Sequence, residues 1–277
     1  MSTDNRSKAP KSNDIGWRLR QLRLRRGSSL RSLAERSGKH SSQLSRLERE
    51  WARNGTPKPE TVTELLDALE ATPEERRAVF HFEEPAVTPE EIAEQVHRIA
   101  AEYDNSPVPI FLADDRWYRW YMNRAGRMLF GLTAEEYDQT IGEHMLLHLL
   151  SADSPLSRRY IEQERRTTFS MRAAAFQAVF ADQQFDEWYL RIAEQIRPHH
   201  WAEQIWLSPP KRPMFADSLV FDFIHPTAGP LRARTQLHKL VNAPRFSIIE
   251  VAGDTSESSA KLAELLRSAG LRPAADV

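Results

Sequence analysis

Within one stretch of nine residues, Ser41 to Arg49, six side chains carry hydrogen-bonding or cationic groups at helical spacing. Ser41, Ser42, Gln43, Ser45, Arg46 and Arg49 fall on an outward face, while Leu44 and Leu47 fall on the opposite one. A carboxamide such as Gln43 pairs bidentately with adenine, hydroxyls such as Ser42 and Ser45 reach bases or phosphate, and Arg46 suits guanine or a phosphate backbone. Upstream, Arg31 and Arg36 suit phosphate. The competing reading of each side chain is a solvated polar group. A second chemistry-bearing set is histidine: Glu143, His144 and His148, with the histidines at i and i+4 on an expected helix, the spacing of two metal ligands. The catalytic-zinc pattern places its glutamate directly after the first histidine, where this chain has Met145, so no metal is expected. His199-His200 lacks a recognisable third ligand, and no Gly-rich phosphate loop, nucleophile elbow or kinase signature is present. An enzyme is therefore not expected, and neither is a cofactor.

The elements that must position these groups are bounded by composition. At 277 residues the chain exceeds one average domain, and 40% hydrophobic with 28% charged residues is ordinary globular composition. No run approaches the roughly eighteen apolar residues of a membrane span. The polar start, MSTDNRSKAPKSNDIG, lacks the apolar core of a signal peptide, which implies a cytoplasmic location with no membrane partner. The absence of cysteine excludes disulfide scaffolds, thiolate nucleophiles and cysteine-ligated zinc. Through Lys58 there are fifteen Lys or Arg against five Asp or Glu, so the head carries +10 and the remainder −11. Such a division favours contact of the head alone with a polyanion.

Residues 1–14 read as a disordered arm. Short amphipathic helices follow from Gly16 to Arg26, from Leu30 to Arg36, and from His40 or Ser41 onward, with Gly38 allowing the turn between the second and third. WARNGTPKP reads as a loop. ETVTELLDALEA and TPEERRAVFHF form two more helices, the latter with Thr72 as cap and Pro73 at its first position. The head spans 15–83, and a linker region, 84–104, carries a helix from about Pro89 to Tyr103. A body, 105–277, begins with a strand, turn and strand in VPIFLADDRWYRWYMN. It continues through a helix-rich middle and ends with three strands and an amphipathic helix. The expected fold is multidomain: an all-α head and an α+β body with an antiparallel sheet.

LRQLRLRRGSSLRSLAERSGKHSSQLSRLER resembles the helix-turn-helix of the xenobiotic-response-element, Cro and lambda-repressor-like family, with Leu44 to Arg49 as its recognition helix. Glu50 stands where a glycine commonly follows that helix. The resemblance implies double-stranded DNA as partner, with the third helix in the major groove, and a homodimer that spaces two heads one helical turn apart. Pro109-Ile110-Phe111-Leu112, the aromatic run Trp117 to Met122, Asn123-Arg124-Ala125 and the three late strands make the body similar to the ligand-binding domain of MmyB-like regulators. That resemblance implies a PAS-like fold and a small, mainly apolar effector such as a fatty acid. Trp117, Trp120, Met122, Met128, Phe130, Met145, Phe176, Phe180, Trp188 and Phe223 are candidate walls for it, with ordinary core packing as the alternative. Arg119, Arg232 and Arg234 are cations suited to an acidic head group, though surface positions are expected for all three. Rival readings are a helix-turn-helix protein-interaction or antitoxin module, and a metal-dependent enzyme in the body.

Overall fold

The computed structural model describes residues 14–54, 58–81, 84–209 and 219–271. They divide into two compact units: Met1–Pro85 with Phe180–Ala193, and Ala86–Val179 with Glu194–Val277. The first unit begins with α1 (Ile15–Arg25), α2 (Leu30–Ser37), α3 (Ser41–Asn54), α4 (Pro59–Ala68) and α5 (Pro73–Phe80). Local chemistry fixes the ends. Ser29 accepts from the Ser32 N–H to start α2, Gly38 ends it at φ 66°, and Thr72 with Glu75 forms a reciprocal capping box at α5. Leu19, Leu22, Leu33, Leu44, Leu65, Leu66 and Val79 make the core. Two expectations change here. The first four residues of WARNGTPKP are helical and extend α3 to Asn54, because Trp51, Ala52 and Arg53 are compatible with helix and the Asn-Gly stop comes later; residues 55–57 lie outside the described residues, as do residues 1–13 of the expected arm. Further, Phe180–Ala193, expected inside the body, belongs to the head: Phe185 is fully buried in the head's core.

The second unit starts at Ala86, and its first element is α6 (Pro89–Tyr103), capped by Thr88 and Glu91. β1 (Ile110–Asp114), β2 (Arg119–Met122), α7 (Arg124–Leu129), α8 (Ala134–Thr140) and α9 (Glu162–Val179) follow; most of α10 (Glu187–Ile196) falls in the first unit, and α11 (His200–Leu207) belongs to the second. The chain closes with β3 (Val220–His225), β4 (Gly229–Leu240), β5 (Ala243–Gly253) and α12 (Ser256–Ser268). The five strands form one antiparallel sheet in the order β2-β1-β5-β4-β3, the arrangement of a PAS-like fold. Alternation along the strands gives the sheet two distinct faces. Ile110, Leu112, Phe246 and Ile248 pack with Ile99 of α6, whereas Phe111, Ile249, Leu237 and Phe221 turn to the other side and line a cavity.

Asn123 fastens this arrangement. It is fully buried; its Oδ1 accepts from Ile110 N (3.0 Å) and Gly126 N (2.9 Å), and its Nδ2 donates to Tyr103 O (3.0 Å) and Val108 O (2.8 Å). One amide thus ties the end of α6, the start of β1 and the N-terminus of α7. Asn123→Ala strands several buried polar groups and is expected to lower stability by about 1–3 kcal/mol in urea unfolding; a loss under a few tenths would show that water takes over these bonds.

Candidate functional sites

In the first unit, α3 presents the expected face. Leu44 and Glu48 are buried and Leu47 partly so, while Ser41, Ser42, Gln43, Arg46 and Arg49 are exposed and Ser45 is half-buried. Orientation comes from a buried ion pair: Arg23 of α1 donates Nε to Glu48 Oε1 (2.6 Å) and Nη2 to Glu48 Oε2 (2.7 Å), and its Nη1 reaches Ser28 O (2.7 Å). This bidentate fork fixes the rotation of α3 on α1 as well as its distance. The hydrogen bonds to Glu48 raise the Arg23 pKa against the desolvation that opposes them. Glu48 was missed in the sequence because a carboxylate beside arginines reads as surface.

The outward groups are partly engaged with one another. Gln43 Oε1 accepts from His40 N (3.4 Å), Ser42 Oγ meets His40 Nδ1 (2.7 Å), and Arg49 donates to Ser45 Oγ (2.6 Å). Gln43 and His40 therefore cap α3, and the Gln43 amide must leave a long bond to read a base. Arg31 pairs with Glu35 (3.1 Å) on an open surface, a weak and easily exchanged contact. Arg36 donates to Ser28 Oγ (2.8 Å), and Arg46 extends without a partner among the described residues.

In the second unit a cavity of about 90 Å³ lies between the sheet and α9. Of the ten candidate walls, Trp117, Phe130 and Met145 line it. Phe176 stands behind Trp117, edge to face at 5.4 Å, and Phe223 packs behind Phe130 at 5.1 Å. Trp120 turns to the α6 side, with its indole N–H on Asp114 Oδ2 (2.9 Å). Met122 is buried against Gly126, and Met128 sits on α7, outside the lining. Phe180 and Trp188 belong to the first unit, where their rings meet edge to face at 5.1 Å, so they are not walls of this cavity. Trp117 adopts φ 67°, in the left-handed region that a large side chain rarely occupies. Asp114 holds that turn by accepting from Arg116 N and Tyr118 N (both 2.9 Å).

Of the polar residues in the lining, Arg119 and His148 carry sequence signals noted above, whereas Tyr160 and Arg172 do not. Arg119 is 4% exposed, contrary to its expected surface position; it donates to Glu143 Oε2 (2.9 Å) and Thr140 O (3.0 Å), and burial lowers its pKa to about 10. Arg232 and Arg234 do lie at the surface, paired with Asp254. Arg172 of α9 donates to Met145 O (2.6 Å) and bonds the Tyr160 hydroxyl. His148 completes the set, with no hydrogen-bond partner for Nδ1 among the described residues. The expected helix for His144 and His148 is absent: His144 sits at an isolated bridge to Tyr118 and His148 in a single 3-10 turn, since consecutive strand-like and turn pairings replace α-helical hydrogen bonds there. Among the described residues, no group of three or more His, Cys, Asp or Glu is disposed to hold a metal.

The fold and its two sites define a class: a helix-turn-helix unit carried on one chain with a PAS-like unit. Residues 14–79 match the family model of a helix-turn-helix domain. A search of curated proteins finds no significant match. Among solved structures, an RNA-binding light-oxygen-voltage receptor is similar over 93% of this chain and 64% of that chain, at 11% identity and a TM-score of 0.28. The chain thus spans somewhat less than two-thirds of that structure, and the PAS-like description rests on strand order. No helix among the described residues is long and apolar enough to cross a membrane.

Proposed function

We propose that this chain is a sequence-specific, DNA-binding transcriptional regulator, without enzymatic activity, whose PAS-like unit senses a small, mainly apolar molecule. The observation that supports it most is the exposed polar face of α3 on a rotation-locked scaffold, within a matched helix-turn-helix domain. Arg46 and Arg49 supply charge toward phosphate, and Ser41, Ser42 and Gln43 stand at the helix N-terminus, where major-groove readers meet bases. A homodimer presenting two such heads, in the cytoplasm, is the working arrangement. The effector biases DNA affinity only if it prefers one arrangement of the protein over another.

Selection of DNA from a random pool should yield a defined site, and affinity for that site should fall steeply as salt rises, because each phosphate contact releases counterions. Gln43→Ala should cost about 1–3 kcal/mol and relax preference at one base pair while the salt slope stays unchanged. Binding indifferent to salt would instead favour a protein-interaction module. An unaltered site preference in the Gln43 variant would remove that side chain from base reading.

A further inference from the structure

The lining of the cavity in the PAS-like unit is unbalanced in charge. It contains Arg119 and Arg172 and no aspartate or glutamate. The Arg119 charge is answered from outside the lining by Glu143 at 2.9 Å, but no carboxylate among the described residues lies within ion-pair distance of Arg172. Arg172 is offered only a carbonyl and a phenol, Met145 O and the Tyr160 hydroxyl. A guanidinium keeps its proton, so this half-buried one, lining a mainly apolar cavity with no carboxylate beside it, is placed to pair with an incoming anion. Beside it stand two further unused polar atoms, Arg119 Nε and His148 Nδ1.

We propose that this cavity receives a compact, singly charged carboxylic acid, with its carboxylate on Arg172 and its apolar body against Trp117, Phe130 and Phe221. One unanswered positive charge calls for one negative charge, and the planar fork of an arginine matches a carboxylate. The size argues against a long chain. An apolar cavity of about 150 Å³ takes a benzene ring, and the space here is about 90 Å³. A ring-sized body requires Met145 and Met171, the adaptable walls, to shift their side chains. The inference rests on the sensing role proposed above and narrows it from any apolar effector to a small acid.

The test uses the full-length protein with benzoate and cyclohexanecarboxylate as probes, benzamide as the uncharged counterpart, and tetradecanoate as the long acid. Calorimetry and thermal melting should show both small acids binding and raising the melting temperature by several degrees at millimolar concentration, with benzamide at least tenfold weaker. Arg172→Met should lose the preference for acid over amide, and Arg172→Lys should keep part of it. Equal binding of benzamide and benzoate overturns the proposal, and so does a preference for tetradecanoate alone; either result leaves the apolar-sensor reading standing. If no probe, including tetradecanoate, alters melting or DNA affinity, both fall.

Discussion

Replacing Asp186 with alanine is expected to destabilise the helix-turn-helix unit by about 3–5 kcal/mol. Asp186 lies in the segment Phe180–Ala193, with 1% of its side chain exposed, and its Oδ1 is 2.6 Å from Nη2 of Arg18, whose side chain is 0% exposed. Arg18 Nη1 also donates to Ala78 O (2.6 Å), and His81 Nε2 approaches Asp186 Oδ2 at 3.3 Å. Removing the carboxylate takes away the buried charge that lies 2.6 Å from an arginine with no means of deprotonating. Removing both charges is a different experiment, since Arg18→Met with Asp186→Leu trades the pair for apolar packing and should recover most of the loss. Urea unfolding followed by helical circular dichroism would read the effect, fitted for two units. If Asp186→Ala moved the transition by less than about 1 kcal/mol, water must reach Arg18 and the pair would count as a surface one.

Acid should weaken the PAS-like unit well above the pH at which its carboxylates titrate. Desolvation depresses His144 to about 3 and His148 well below its usual value, the latter with help from the neighbouring Arg172 and Arg119 charges. Both rings are therefore neutral in the folded protein, while in the unfolded chain they protonate below about 6.5. Between those values the unfolded state binds protons that the native state refuses, so stability is complete above pH 6.5 and falls as the pH drops toward 3. His144 should contribute a loss of about 2 kcal/mol between pH 6.5 and 5, and His148 a further loss of the same sign. Melting temperatures across that interval should decline, and His148→Leu should flatten the decline by roughly half. A flat profile in the parent protein would show that the two rings are hydrated.

Much of the fold is written in local signals. Thr72 and Thr88, each followed three residues later by glutamate, mark helix starts, and the apolar runs around Phe111, Tyr121, Phe221 and Ile248 alternate as strands do. The exposed polar face of α3 was legible for the same reason, since Leu44 and Leu47 set the inward direction and the polar residues follow by geometry. The rest depends on partners distant in sequence. Arg119 and Arg172 face inward because Glu143, Met145 and Tyr160 meet them there, and nothing in their immediate sequence neighbours distinguishes them from surface residues. Large apolar side chains are equally ambiguous: Trp117 and Trp120 are three residues apart, yet one lines the cavity and the other faces α6. The membership of Phe180 and Trp188 in the head is a matter of tertiary return, which periodicity does not record.

That return has a consequence for how the molecule is made. Proteins emerge from the ribosome N-terminus first, so the leading 85 residues of this chain leave the exit tunnel without Phe185 to fill their core or Asp186 to answer Arg18. The nascent head should stay loosely assembled until the segment ending at Ala193 has been translated. A transcript truncated before that point, or a fragment cut for convenience at the linker, should yield a product that proteases recognise as unfinished.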